Sequence, residues 1–314
     1  MTRRATPTLS ELGLNRLTRL ILGALALEIA ICAALYPQLG LSFAWRANVT
    51  MALMPLGPFA FWLYFVVEPG RSVRDWFIAQ RVFVFALLLA NLVVQPQAQY
   101  VALAFNRPLI DRWLAAGDAA MGVDIVALTA WTARHPLVKI LLFRCYGTLF
   151  VQFALPLIVL GFAARDQAAF WEFTFNFFVC SMAIIPIVML FPAACPMTYY
   201  GFQPLLGQAQ VAQQIAALRD GTLTVIDFNK LDGLISFPSF HTAGALMVTW
   251  AFRHKRWLLW PLIVVNTGLI AATFMLGAHY FVDVVAGALL FASSVGLYRR
   301  VAPALDVRRN CLSG

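Results

Sequence analysis

The sequence predicts an all-α fold: a polytopic transmembrane helix bundle of about eight spans (six to eight), with an interfacial helix on its outer face, forming one integral membrane domain over residues 1–314. Three observations predict it. Of the 314 residues 61% are hydrophobic and 12% charged, with a mean hydropathy of +0.78, whereas soluble domains carry about 25% charged residues. Apolar segments near the ~20 residues needed to cross a bilayer recur along the whole chain. The basic residues fall between those segments and not on one soluble face, so the net charge of +9 signals a membrane protein and not a nucleic-acid partner. No repeat, polar tract or dense cysteine pattern is present, which excludes fibrous, disordered and disulfide-framework classes.

In chain order the apolar segments are roughly 20–36, 48–67, 82–104, 137–163, 168–191, 240–252, 257–276 and 281–298. The first follows MTRRATPTLSELGLNRLTRL and is not succeeded by a small-residue cleavage site, so it reads as a retained span and not a removed signal peptide. The third is interrupted by QPQAQ, and the sixth is short unless it begins within FPSFH; a re-entrant path for either lowers the count. Between the third and fourth, RPLIDRWLAAGDAAMGVDIVALTAWTARHP mixes acids, Trp and apolar residues at helical spacing, which predicts a helix lying along the interface. Residues 196–238 form the other long polar stretch, with QAQVAQQIAALRDGT as a short extramembrane helix. The five cysteines (32, 145, 180, 195 and 311) are scattered, mostly inside apolar runs, and read as small apolar residues without a redox role.

Counting Lys and Arg sets the orientation. With the N-terminus cytoplasmic, 15 of the 23 lie on the inner side, seven on the outer side, and Arg144 within the fourth span. The clusters RHKR and RR share the inner side, as positive charge does in membrane proteins. Both termini are then cytoplasmic, and the 196–238 loop faces the periplasm or exterior. Compact loops and the lack of a long tail favour a bacterial inner membrane. Trp45, Trp113, Trp131 and the Tyr199–Tyr200 pair fall near the outer boundary, where aromatic residues anchor a bundle.

Four histidines can do chemistry. His254, in AFRHKRW, and His135, before Pro136, read as interfacial residues. His241 lies in ISFPSFHTAGA at the start of the sixth span, and His279 in LGAHYFVDVVAG at the start of the eighth. The sixth span runs inward and the seventh returns outward, so both imidazoles fall on the outer face at one depth. Asp283 follows His279 by one helical turn, where a carboxylate can fix the tautomer that frees the other ring nitrogen. Ser239 is a candidate N-cap after Pro238, and the eighth helix begins near Tyr280. Two helix N-termini would then aim free N–H groups at one spot, a ready phosphate site. Two imidazoles, a carboxylate and an anion-binding concavity suit phosphoryl transfer through a phosphohistidine better than acyl transfer.

FPSFH followed by GAHYFVD resembles the second and third signature motifs of the type 2 phosphatidic acid phosphatase superfamily, PSxH and SRxxxxxHxxxD. The closer similarity is to its inositolphosphotransferase branch, which includes inositol phosphorylceramide synthases, and FPAACPMTYY (191–200) looks like that branch's segment before the reactive loop. The resemblance covers about residues 105–300 as a catalytic region. It implies His279 as nucleophile, Asp283 as its orienter, and His241 as the acid that protonates the leaving alkoxide and then the base that activates the acceptor. The chain departs from the phosphatase pattern at two places. Thr273 stands where the pattern has Arg, and KxxxxxxRP is absent from its usual place: Arg107–Pro108 supplies the RP pair, with Tyr100 in the Lys position, two spans too early.

Other cations must therefore balance a phosphate beside Ser239. Arg144, about 10 Å into the fourth span at 1.5 Å per residue, is the first candidate, with snorkelling or pairing to Asp118 or Asp124 as its structural alternative. Lys230 is the second, and Arg219 and Arg107 are weaker ones. Asp118 and Asp124 match the branch's pattern, and the sequence assigns them no chemistry. The expected activity is transfer or hydrolysis of a lipid phosphate ester, leaning to headgroup transfer, with membrane lipids as substrates and neither a cofactor nor a divalent ion required. Two other readings use the same residues: a metal site of His241, His279 and Asp283, and a lipid-binding protein without chemistry.

Overall fold

The computed structural model describes residues 14–67, 72–162, 166–202, 205, 209–227 and 236–305. Lys230 and Cys311 lie outside the described residues, as does the side chain of Trp45. The helices are α1 (Arg16–Gln38), α2 (Trp45–Leu53), α3 (Leu56–Val67), α4 (Val73–Ala104), α5 (Asp111–Ala120), α6 (Ile125–Ala133), α7 (Pro136–Gly147) and α8 (Leu149–Gln152). A π-helical turn, Pro156–Leu160, precedes α9 (Gln167–Leu190), α10 (Pro196–Tyr200), α11 (Ala209–Arg219), α12 (Phe240–Ala251), α13 (Arg256–Met275) and α14 (Phe281–Val301). Two-residue strands, Ser42–Phe43 and Val225–Ile226, pair in parallel and tie the end of α1 to the segment after α11.

Seven stretches among the described residues are long and apolar enough to cross a membrane: α1, Asn48–Val67, Phe77–Ala104, Pro136–Leu160, α9, α13 and α14. The chain is an all-α polytopic bundle and an integral membrane protein. These seven coincide with seven of the eight apolar segments. The sixth, 240–252, is α12, only 12 residues long, or about 18 Å, well short of the ~30 Å hydrocarbon core. The interfacial segment 107–136 holds two helices, α5 and α6, bent 83° from one another.

The QPQAQ interruption does not break α4, which runs through Pro96 unbroken. Two of the three glutamines of QPQAQ are paired: Gln95 donates to the Glu28 carboxylate of α1 at 3.0 and 3.1 Å, and Gln97 accepts from the Tyr36 hydroxyl at 3.1 Å. Gln97 also donates to the Val93 carbonyl at 3.0 Å. Polar groups that look like a break in the sequence are thus satisfied between two spans.

Helix α9 forms the centre of the bundle, packed against α4, α12 and α14 with Phe170, Trp171, Phe173, Phe177 and Phe178 buried. Its N-terminal end is pinned by polar contacts: Glu172 accepts from the Trp250 indole at 2.9 Å and from Arg253 at 2.6 Å, and Asp166 pairs with Lys255 at 2.7 Å. Helix α12 descends beside α13, where the Asn266 amide donates to the Ala245 carbonyl and the Thr249 hydroxyl. It meets α14 at a glycine: a Cβ on Gly287 would collide with the Ser239 carbonyl, and Thr242 lies directly beyond.

Gly287→Ala should force α12 and α14 apart and lower stability by about 1–3 kcal/mol, read as a drop in the thermal unfolding midpoint of the purified protein in detergent. An unchanged midpoint would show slack between these helices that the close approach excludes.

Candidate active site

The segment before α12 turns sharply, and Ser239 caps the helix: its hydroxyl accepts the Thr242 N–H at 3.3 Å and the Thr242 hydroxyl at 3.2 Å. The N–H groups of Phe240 and His241 have no partner among the described residues. Among the described residues this end of α12 is therefore an open helix N-terminus, with two donors free of partners and a positive dipole end.

Helix α14 starts differently. Tyr280 is its N-cap residue, and the Tyr280 N–H donates to Asp283 Oδ2 at 2.9 Å. The next two N–H groups, of Phe281 and Val282, donate to the two carboxylate oxygens of Asp118 at 3.0 and 2.8 Å. The expectation of two free N-termini is corrected here: Asp118 and Asp283 already occupy α14, and of the two helix starts α12 alone offers open donors among the described residues. Asp118, without an assigned role in the sequence, is the cap of a helix 163 residues away. Asp124 caps α6 through the Ala127 N–H at 2.9 Å.

His279 hangs in the turn between α13 and α14. That turn needs Gly277 at φ +85°, a conformation that L side chains rarely adopt, and the His279 N–H returns to the Thr273 carbonyl at 3.0 Å. The ring is almost fully buried, and Nδ1 donates to the Ser236 carbonyl at 2.7 Å, with Asp283 Oδ2 at 3.4 Å. A carbonyl can only accept, so this contact puts the proton on Nδ1 and leaves Nε2 unprotonated in the neutral ring. The orienting contact thus runs chiefly through Ser236, whose hydroxyl donates in turn to Asp283 Oδ2 at 2.6 Å. Asp283 is completely buried; its backbone carbonyl accepts the Ser239 N–H at 3.1 Å, and its Oδ1 has no partner among the described residues.

His241, the second residue of α12, stacks on Tyr146 of α7 at 4.2 Å between ring centroids, with the Tyr146 hydroxyl 3.4 Å from Nδ1. The rings of His241 and His279 stand 6.1 Å apart at 63°. The structure therefore brings His241, His279, Asp283 and Ser239 together, close enough for one phosphate to touch both rings.

It does not bring Arg144 to them. Arg144 is exposed and sits two residues before Tyr146, about 200° around α7 from the ring that touches His241. Arg107 is also exposed. Arg219 approaches the cluster's edge: Nη1 is buried without a partner among the described residues, burial pushes the guanidinium below its usual range, and nearby Asp111 opposes that fall. Among the described residues no group of three or more His, Cys, Asp or Glu side chains is arranged to hold a metal ion.

Sequence reasoning missed three residues here: Ser236, Tyr146 and Asp111. Asp111 Oδ1 accepts from the Tyr280 hydroxyl at 2.9 Å and the Cys195 N–H at 3.0 Å, and Oδ2 from the Ala194 N–H at 2.9 Å. Ser236 was visible inside ISFPSFH, three residues before the cap, but its value lies in a backbone carbonyl that no side-chain pattern announces.

Tyr280, fully buried, has its phenol pushed far above the usual range, first by burial and then by the Asp111 carboxylate. Its neutral form is the folded form. The stability this contributes is complete below the unfolded chain's value of about 10 and is lost as pH rises past it, because only the unfolded phenol can ionise. Between about pH 8 and about pH 11 the unfolding midpoint of the wild type should therefore fall more steeply than that of Tyr280→Phe. Parallel falls would exclude a buried protonated phenol at this position.

A family model described as the PAP2 superfamily matches residues 112–297. Searches of curated proteins and of solved structures returned no match.

Proposed function

The chain belongs to the PAP2 superfamily, and from that premise we propose that it cleaves a lipid phosphate ester through a phosphohistidine at His279 and passes the phosphoryl-bearing group to a hydroxyl acceptor. The observation that carries this reading is the 6.1 Å approach of the His241 and His279 rings, with Nδ1 of His279 held by Ser236 and Nε2 left as the nucleophile. Nε2 attacks phosphorus; the ester P–O bond breaks, and His241, protonated beside the negative charge of the bound phosphate, gives that proton to the departing alkoxide and becomes neutral. His241 then takes the proton of the acceptor hydroxyl, whose oxygen attacks phosphorus and releases His279. The open N–H groups of Phe240 and His241, in the helix start where Ser239 caps Thr242, would receive the phosphate oxygens.

Lys230 remains the proposed cation in this site, with Arg219 as a second at its edge. The exposed position of Arg144 suits the snorkelling alternative, its charge reaching for outer headgroups. Burial of His279 and Asp283 supports a bound hydroxyl over bulk water as acceptor, and so favours transfer over hydrolysis. The segment 191–200, which resembles the inositolphosphotransferase pattern, lies against the site: its Pro192 carbonyl accepts the Ile110 N–H at 2.9 Å and its Ala194 and Cys195 bind Asp111. The uneven Lys and Arg distribution supports a site facing the periplasm of a bacterial inner membrane, with both termini cytoplasmic.

Two measurements test the proposal. His279→Ala should lower turnover by at least about a thousandfold and abolish a trapped phosphohistidine, and Asp283→Asn should lower it by about a hundredfold or more with the fold retained. Mass spectrometry of products from lipid phosphates offered with glycerol or inositol should find the phosphate on the added hydroxyl. Inorganic phosphate as the sole product would replace transfer with hydrolysis, and full activity in His279→Ala would end the phosphohistidine reading.

A further inference from the structure

We propose that Asp111 is a positioning residue for His279, acting through the side chain of Tyr280; the proposal rests on His279 as the nucleophile. Asp111 lies in the first turn of α5, yet its carboxylate caps nothing in its own helix, whose N-cap position makes no side-chain bond. It is buried, and its oxygens reach two other segments: the Tyr280 hydroxyl, and the paired N–H groups of Ala194 and Cys195. A buried carboxylate with three donors on it is a strong, directional tie.

That tie matters because of where Tyr280 sits. It is the neighbour of His279, and its N–H holds Asp283 Oδ2, the oxygen that also accepts the Ser236 hydroxyl. Its ring packs with Leu114 and Ala193 and against Phe237, inside the loop whose Ser236 carbonyl orients the nucleophile. Residue 279 is therefore held from both sides: upstream by its own N–H on Thr273, downstream by a phenol locked to Asp111. The same carboxylate holds Cys195 at φ +131°, a backbone conformation that persists only when its surroundings impose it. One acid thus clamps α5, the loop before α10 and the start of α14 around the imidazole.

The test compares Asp111→Asn and Tyr280→Phe with wild type, using dioctanoyl phosphatidic acid in detergent micelles as donor and glycerol as acceptor. Three quantities are read: kcat and KM, the unfolding midpoint at neutral pH, and the tautomer of the His279 ring from ¹⁵N NMR of histidine-labelled protein. Both variants should lose about tenfold to a hundredfold in kcat with KM changed by less than about threefold. The folded fraction should move from a single Nδ1–H tautomer to a mixture. Wild-type kcat, or a loss that merely follows the unfolded fraction while the folded protein keeps the wild-type tautomer, overturns the proposal. The ring signal does not require turnover. Should His279→Ala leave activity intact, or the wild type consume no donor, the nucleophile reading fails separately, and the tautomer alone decides whether Asp111 positions this ring.

Discussion

One buried carboxylate holds the active end of this bundle together. Asp283 accepts the Ser236 hydroxyl and the Tyr280 N–H on one oxygen, while its backbone carbonyl accepts the Ser239 N–H. The starts of two helices that are distant in sequence are thereby fixed against each other inside an apolar surround. Each hydrogen bond to a charged group contributes about 1.5–3 kcal/mol, and losing the acceptor would leave buried donors stranded. Helix α12 depends on this anchor, since it is too short to be held by membrane insertion alone. At its other end Glu172, Trp250 and Arg253 hold it to α9.

The cluster of acids around the two imidazoles also solves an electrostatic problem. Asp111, Asp118 and Asp283 all lie near a site proposed for a phosphate, where bare carboxylates would repel it. Both oxygens of Asp111 and of Asp118 face donors from other segments, namely loop N–H groups, the first turn of α14 and a phenol, and Asp283 Oδ2 accepts the Tyr280 N–H and the Ser236 hydroxyl. The acids thus spend their charge on the protein's own backbone. They fill the N-terminus of α14 and leave that of α12 open beside the two imidazoles. The bundle has sorted its two helix starts into one that is structural and one that is available to a ligand.

Much of this was legible in sequence because it rests on periodicity and topology. Apolar runs specify the spans, and alternating direction brings His241 and His279 to one end of the bundle. Ser239 reads as a cap because hydroxyl caps are local. What was hidden depends on contacts between distant segments. Nothing near Asp118 points to the first turn of α14, and nothing near Tyr146 says that its ring lies on His241. Arg144 misled for a related reason: depth in a span can be counted, but the face it occupies depends on what α7 packs against. The glutamines of α4 misled in the opposite sense, since their partners Glu28 and Tyr36 lie on another helix.

Gly287 lies six residues into α14, about 9 Å below its first residue, and it is there that the start of α12 abuts. The start of α12 is consequently set back from the first residue of α14 by more than a helical turn. If α14 begins at the level of the headgroups, a lipid phosphate docking at His241 would have to sink beneath those of its neighbours, carrying the adjoining glycerol toward the acyl layer. Bulky or heavily hydrated heads resist that descent more than small ones do. Leaflet thickness and headgroup hydration would then tune turnover from outside the protein, with no residue changed.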